Sequence, residues 1–109
     1  MTSNQREMVF VKWLSGQPKL HGDGHLTAGT VNCYKTKIRR CRKQFTNSGY
    51  NPGTISNDLF AIYDPVEFGA QKQIISNTPG YDEVNRRGHG QLSNALCWYH
   101  QFLRSDDRR

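Results

Sequence analysis

Between positions 31 and 45 the apolar residues Val31, Tyr34, Ile38, Cys41 and Phe45 recur at alternating spacings of three and four. That is the 3.6-residue period of a helix with one buried stripe. Thr27 or Thr30 stands where such a helix takes its N-cap. Lys35, Lys37, Arg39, Arg40, Arg42 and Lys43 fill the rest of the circumference, with Arg39, Arg40 and Lys43 roughly opposite the stripe. Lys35 with Arg39, and Arg39 with Lys43, are like-charge pairs four residues apart, each costing about 0.2–0.5 kcal/mol. No acid on the helix compensates them, and no Asp or Glu occurs anywhere from Gly24 to Asn57.

The other periodic segments are also helical. Leu92, Ala95, Leu96, Tyr99, Phe102 and Leu103 share one face of a last helix, with Trp98 beside it. Asp64-Pro65-Val66-Glu67 combines an N-cap Asp, a proline at the first helical position and a Glu at the third. The helix it opens should run to about Ser76 and turn Val66, Phe68, Ile74 and Ile75 inward. Pro79-Gly80 ends it, and Tyr81 to Val84 adds one further turn. At the start of the chain Ser3 caps a helix from about Asn4 to Leu14, with Met8, Phe10, Val11, Trp13 and Leu14 as its apolar content, stopped by Gly16 and Pro18. Leu59, Phe60, Ile62 and Tyr63 form a short apolar patch before the Asp64 cap.

The expected fold is all-α, a compact bundle of four main helices with long loops. A length of 109 residues suits a single domain over 1–109, with a frayed tail from about 105. With 35% hydrophobic residues and a mean hydropathy of -0.80, such a chain closes a core only if its apolar residues keep to defined faces. An aromatic content of 11% sets it apart from a solvated, disordered chain.

Fifteen Lys and Arg against nine Asp and Glu leave a net charge of +6 and a pI near 9.5, which favours a polyanionic partner: nucleic acid or an acidic protein. The acids gather in the second half, at Asp58, Asp64, Glu67, Asp82, Glu83, Asp106 and Asp107. Cys33, Cys41 and Cys97 are an odd number without a CxxC, and no apolar run is long enough for a signal peptide or a membrane span. Reduced thiols in a cytoplasmic protein, with no membrane partner, are expected.

Three segments are candidate sites. The basic helix can lie along a phosphate backbone; its solvated alternative is cations snorkelling over the core. The loop Arg86-Arg87-Gly88-His89-Gly90 precedes a helix, and its glycine amides and cations could clamp a phosphate; the alternative is a plain glycine turn with Ser93 or Asn94 as cap. No Lys-Ser or Lys-Thr follows, so it is not a Walker loop. His21-Gly22-Asp23-Gly24-His25 holds two histidines and a carboxylate, but on a flexible loop with no fourth partner evident, so it reads as surface rather than as a metal site. Cys97 and His100, three residues apart on the last helix, lack any activating neighbour in the local sequence. No catalytic residue, metal or cofactor is expected.

The segment Thr30-Val31-x-x-Tyr34-x-x-x-Ile38-Arg39-Arg40 resembles the opening helices of tyrosine-recombinase core-binding domains. The run Leu59-Phe60-x-Ile62-x-Asp64-Pro65-x-Glu67-Phe68, followed by Gly88-His89-Gly90-x-x-Ser93-Asn94-Ala95-Leu96-x-x-Tyr99-x-x-Phe102-Leu103, is similar to the helical N-terminal segment of bacterial restriction and phage-defence proteins that precedes an HNH nuclease or AAA-type motor. This resemblance spans about residues 7 to 104 and implies DNA recognition by a helical domain; the catalytic domains of those families are missing from this chain.

The function expected is therefore non-catalytic binding of nucleic acid, double-stranded DNA above all. Arg39, Arg40, Arg42 and Lys43 would meet phosphates, Lys35 and Lys37 would add field, and Arg86, Arg87 and the Gly88–Gly90 amides would clamp a second phosphate. The rival is a protein-interaction adaptor or a small phage- or plasmid-encoded inhibitor that docks on an acidic protein surface, anchored by exposed Trp98, Tyr50 or Tyr81.

Overall fold

A computed structural model describes residues 1–19 and 24–105. Among them are six α-helices rather than four: α1 (Ser3–Ser15), α2 (Ala28–Arg39), α3 (Cys41–Asn47), α4 (Pro65–Asn77), α5 (Tyr81–Arg87) and α6 (Gln91–Leu103), with a 3-10 turn at Leu59–Ala61 before α4. The all-α reading holds. The two extra helices come from one expected helix dividing and one expected turn lengthening.

The division falls at Arg40, whose φ of -110° and ψ of 21° separate α2 from α3. Both halves of the stripe remain buried: Val31, Tyr34 and Ile38 from α2, Cys41 and Phe45 from α3. Periodicity read through the bend because Arg40 still donates to the Thr36 carbonyl and Gln44 N–H to that of Arg40, so the helical register continues. Tertiary hydrogen bonds hold α3 in its own direction. Arg42 Nη1 donates to the carbonyls of Gly53 and Ile55, tying α3 to the loop that follows it. The lengthened turn is α5, which takes in Arg86 and Arg87.

Caps explain the other starts. Thr2, not Ser3, caps α1, with the reciprocal Gln5 contact completing a capping box. Thr27 accepts from Thr30 N–H at the head of α2, and Asp64 accepts from Glu67 N–H at the head of α4, with Pro65 at its first position. Within α4 only Phe68 and Ile75 are buried. Val66 is 80% exposed and Ile74 is at the surface, contrary to the expected inward set, because both lie off the face that Phe68 and Ile75 define seven residues apart.

Helix α6 is the centre of the packing and touches α1, α2, α4 and α5. Its six expected apolar residues are all buried. Tyr99 is the focus. Its ring lies 5.2 Å from Phe10 of α1, 5.2 Å from Phe60 of the 3-10 turn and 4.8 Å from Phe68 of α4, all edge-to-face. Its hydroxyl donates to the Ile62 carbonyl at 2.8 Å. Burial pushes that hydroxyl's pKa up, so it remains a donor. Arg6 of α1, itself buried, donates to the Phe60 carbonyl beside it.

Replacing Tyr99 by Phe keeps the ring cluster but leaves the Ile62 carbonyl without its donor. Urea denaturation should show a loss of about 1–3 kcal/mol, the cost of an unsatisfied buried acceptor; no loss would mean that the carbonyl finds water.

Candidate nucleic-acid interface

The six cations of the basic segment are not equivalent in space. Arg39 bends back over the core. Its guanidinium pairs with Glu7 at 3.1 Å and with Asp58 at 2.9 Å, and stacks 4.8 Å above the Phe60 ring. Acids from α1 and from the 3-10 turn's N-cap thus supply the compensation that the helix itself lacks. Arg42 is committed to the carbonyls of Gly53 and Ile55. As phosphate contacts these two would have to exchange a protein partner for the phosphate.

Arg40 and Lys43 are exposed and have no salt bridge among the described residues. They stand on a ridge between two shallow grooves. One, of about 410 Å³, is walled by Arg39, Arg42, Thr46 and Asn57. The other, of about 540 Å³, is walled by Lys37, Asn32, Thr36 and Asn47 among others. Arg40 and Lys43 line both grooves, and no acid lines either. Lys35 is half-buried, unpaired among the described residues, and lines neither groove.

The glycine loop does not form the expected amide clamp. The N–H groups of Gly88, His89, Gly90 and Gln91 donate to the carbonyls of Val84, Arg86, Asn85 and Gly88 respectively. The Asn85 side chain accepts from Ser93 N–H, in place of the expected Ser93 or Asn94 cap. Sequence placed glycines before a helix and so suggested open amides; the turn consumes them itself, with His89 at φ 56° and Gly90 at φ 78°. Arg86 and Arg87 are exposed, and Arg87 pairs with Glu83 at 2.9 Å along α5. One link to the basic helix is real. A side chain on Gly88 would meet Lys37 Nζ at 2.9 Å, so the bare glycine lets Lys37 lie across this loop. The two segments that sequence read as separate sites are neighbours.

The aromatic anchors expected of a protein-docking surface are half-buried instead. Trp98 packs against Trp13 at 6.0 Å between ring centroids, Tyr50 hydrogen-bonds Glu83, and Tyr81 rests on the core. His21, Gly22 and Asp23 of the histidine loop lie outside the described residues, as do 106–109 of the tail. Among the described residues no group of three or more His, Cys, Asp or Glu side chains could hold a metal, and no helix is long and apolar enough to cross a membrane.

Away from the basic face, α4 supplies what sequence could not place beside Cys97 and His100. Lys72 Nζ lies 3.3 Å from His100 Nδ1 and 3.9 Å from Cys97 Sγ, and His100 Nε2 lies 3.0 Å from the Pro65 carbonyl. Burial, then the Lys72 and Arg104 charges, lower the His100 pKa. Comparison of the chain with family models, curated proteins and solved structures finds no match.

Two outcomes follow from this geometry. Arg39→Gln should cost about 1–2 kcal/mol by loss of two partly exposed ion pairs and a cation–π contact, whereas Arg40→Gln should be near neutral; equal effects in a denaturant titration would refute the division of roles. For His100, the unfolded chain takes up a proton before the folded one does, so stability is held above the ordinary value of 6.5 and is lost as pH falls below it. Melting temperature should decline from about pH 7.5 to about pH 5.5, and His100→Gln, facing the same Lys72, Arg104 and Cys97, should flatten that decline.

Proposed function

We propose that this chain is a non-catalytic nucleic-acid-binding module that takes double-stranded DNA through its phosphates. The observation that carries the reading is the ridge of Arg40 and Lys43, two exposed cations unpaired among the described residues and shared by two grooves that no acid lines. In folded proteins surface cations are commonly interspersed with acids; two cations kept clear of them, flanked by Lys37, make a focused positive potential that a polyanion neutralises. Amide and hydroxyl side chains at Asn32, Thr36, Asn47 and Asn57 line the grooves and add neutral hydrogen-bonding partners for phosphate and sugar. The similarity of the helical pattern to the recognition segments of restriction and phage-defence proteins points the same way and suggests a role in the cytoplasm beside such systems.

An acidic protein surface is the rival ligand for the same ridge. Trp98, Tyr50 and Tyr81 are half-buried rather than exposed, which leaves them less available as the aromatic anchors of such an interface.

Fluorescence anisotropy with a short labelled duplex, titrated at several salt concentrations, tests the proposal. Affinity should fall with log salt at a slope of about -0.9 per phosphate contacted, near -3 if Arg40, Lys43 and Lys37 each meet one. Arg40→Glu with Lys43→Glu should weaken binding by roughly tenfold or more and flatten the slope. Neither residue has a salt bridge among the described residues, so the melting temperature should hold. Binding that is absent at low salt, or indifferent to the double substitution, would sink the proposal.

A further inference from the structure

Cys97, Lys72 and His100 share an open pocket of about 330 Å³ at the seam of α4 and α6, and none of them lines the basic grooves. The hydrogen bonds order the cluster. A carbonyl only accepts, so the Pro65 oxygen places the ring proton of His100 on Nε2 and leaves a lone pair on Nδ1. That lone pair accepts from the Lys72 ammonium, which is held against α6 with Cys97 Sγ next to it. One ammonium thus lies near both the ring nitrogen and the sulfur. It is suited to sulfur chemistry: an exposed thiol beside a positioned cation, in a pocket that no acid lines.

We propose that Cys97 is a covalent modification site that exchanges with small anionic disulfides of the glutathione type. The thiol gives its proton to solvent, and its sulfur attacks one sulfur of the incoming disulfide. A new S–S bond forms as the old one breaks, and the departing half leaves as a thiolate that takes a proton from water. The disulfide is the oxidant, so no other co-reactant is needed. Lys72 attracts the anionic reagent and faces the negative charge that the attacking sulfur carries; His100 is a positioning residue that holds Lys72 in place.

The other two cysteines are built-in comparators. Cys41 is buried, and burial pushes its thiol pKa up to about 12. Cys33 is half-buried, and its thiol donates to the Gln91 side-chain oxygen at 2.8 Å.

The test is timed incubation of the folded chain with glutathione disulfide, followed by peptide mapping of the mixed disulfides. Cys97 should be modified about tenfold faster than Cys33, with Cys41 unreacted. Lys72→Gln should slow Cys97 by about threefold or more, Lys72→Arg should restore the rate, and the preference for glutathione disulfide over neutral hydroxyethyl disulfide should vanish in Lys72→Gln. If Cys33 reacts first, or if Lys72→Gln leaves both rate and preference unchanged, the proposal is overturned. The comparison among the three cysteines needs no variant, so it stands even if a substitution at Lys72 disturbs the fold.

Discussion

Tyr99 is the residue on which the rest of the architecture depends. Edge-to-face contacts with Phe10, Phe60 and Phe68 join α1, the 3-10 turn and α4 to α6 through one ring. Aromatic pairs of this kind add about 0.5–1.5 kcal/mol each beyond the area they bury. The hydroxyl has a second function, since it satisfies the Ile62 carbonyl where the chain leaves the 3-10 turn for the Asp64 cap. A core with few apolar residues is thereby made specific: one side chain sets the separation of three elements and the path of a connection.

The placement of charge follows from that core. Phe60 presents its ring to Arg39 and its carbonyl to Arg6, so two cations are drawn inward around one aromatic residue. Arg39, held there with Glu7 and Asp58, is half-buried and keeps only part of its side chain at the surface. Arg42, also half-buried, spends donors on the loop carbonyls. The exposed cations of this segment are Arg40 and Lys43, at the bend between α2 and α3, with Lys37 close to the bare Gly88.

The helices were legible because their determinants are local. The stripe from Val31 to Phe45, the face from Leu92 to Leu103 and the Asp64-Pro65 cap all act within a few residues along the chain, and each stands where the spacing puts it. The failures share one cause. Val66 and Ile74 were read as core from residue type alone, though α4 buries a narrow face. The bend at Arg40 leaves the apolar period intact and so has no periodic signature. The loop at Gly88–Gly90 looked like an anion nest, but whether an amide is free depends on which carbonyl the turn brings to it.

The sequence by itself determined the class of fold, the position of the four main helical segments, the excess of positive charge and its concentration in one acid-free stretch. Hydrogen bonding along a helix, capping and side-chain charge are properties of neighbouring residues, and composition carries them directly. Only the tertiary structure decided which cations are paired and which thiol lies beside a lysine. Arg39 meets Asp58 across 19 positions and Glu7 across 32, and Lys72 reaches Cys97 across 25 and His100 across 28. Those pairings are made by the packing of α2 on α1 and the 3-10 turn, and of α4 on α6, and no spacing within a single segment encodes them.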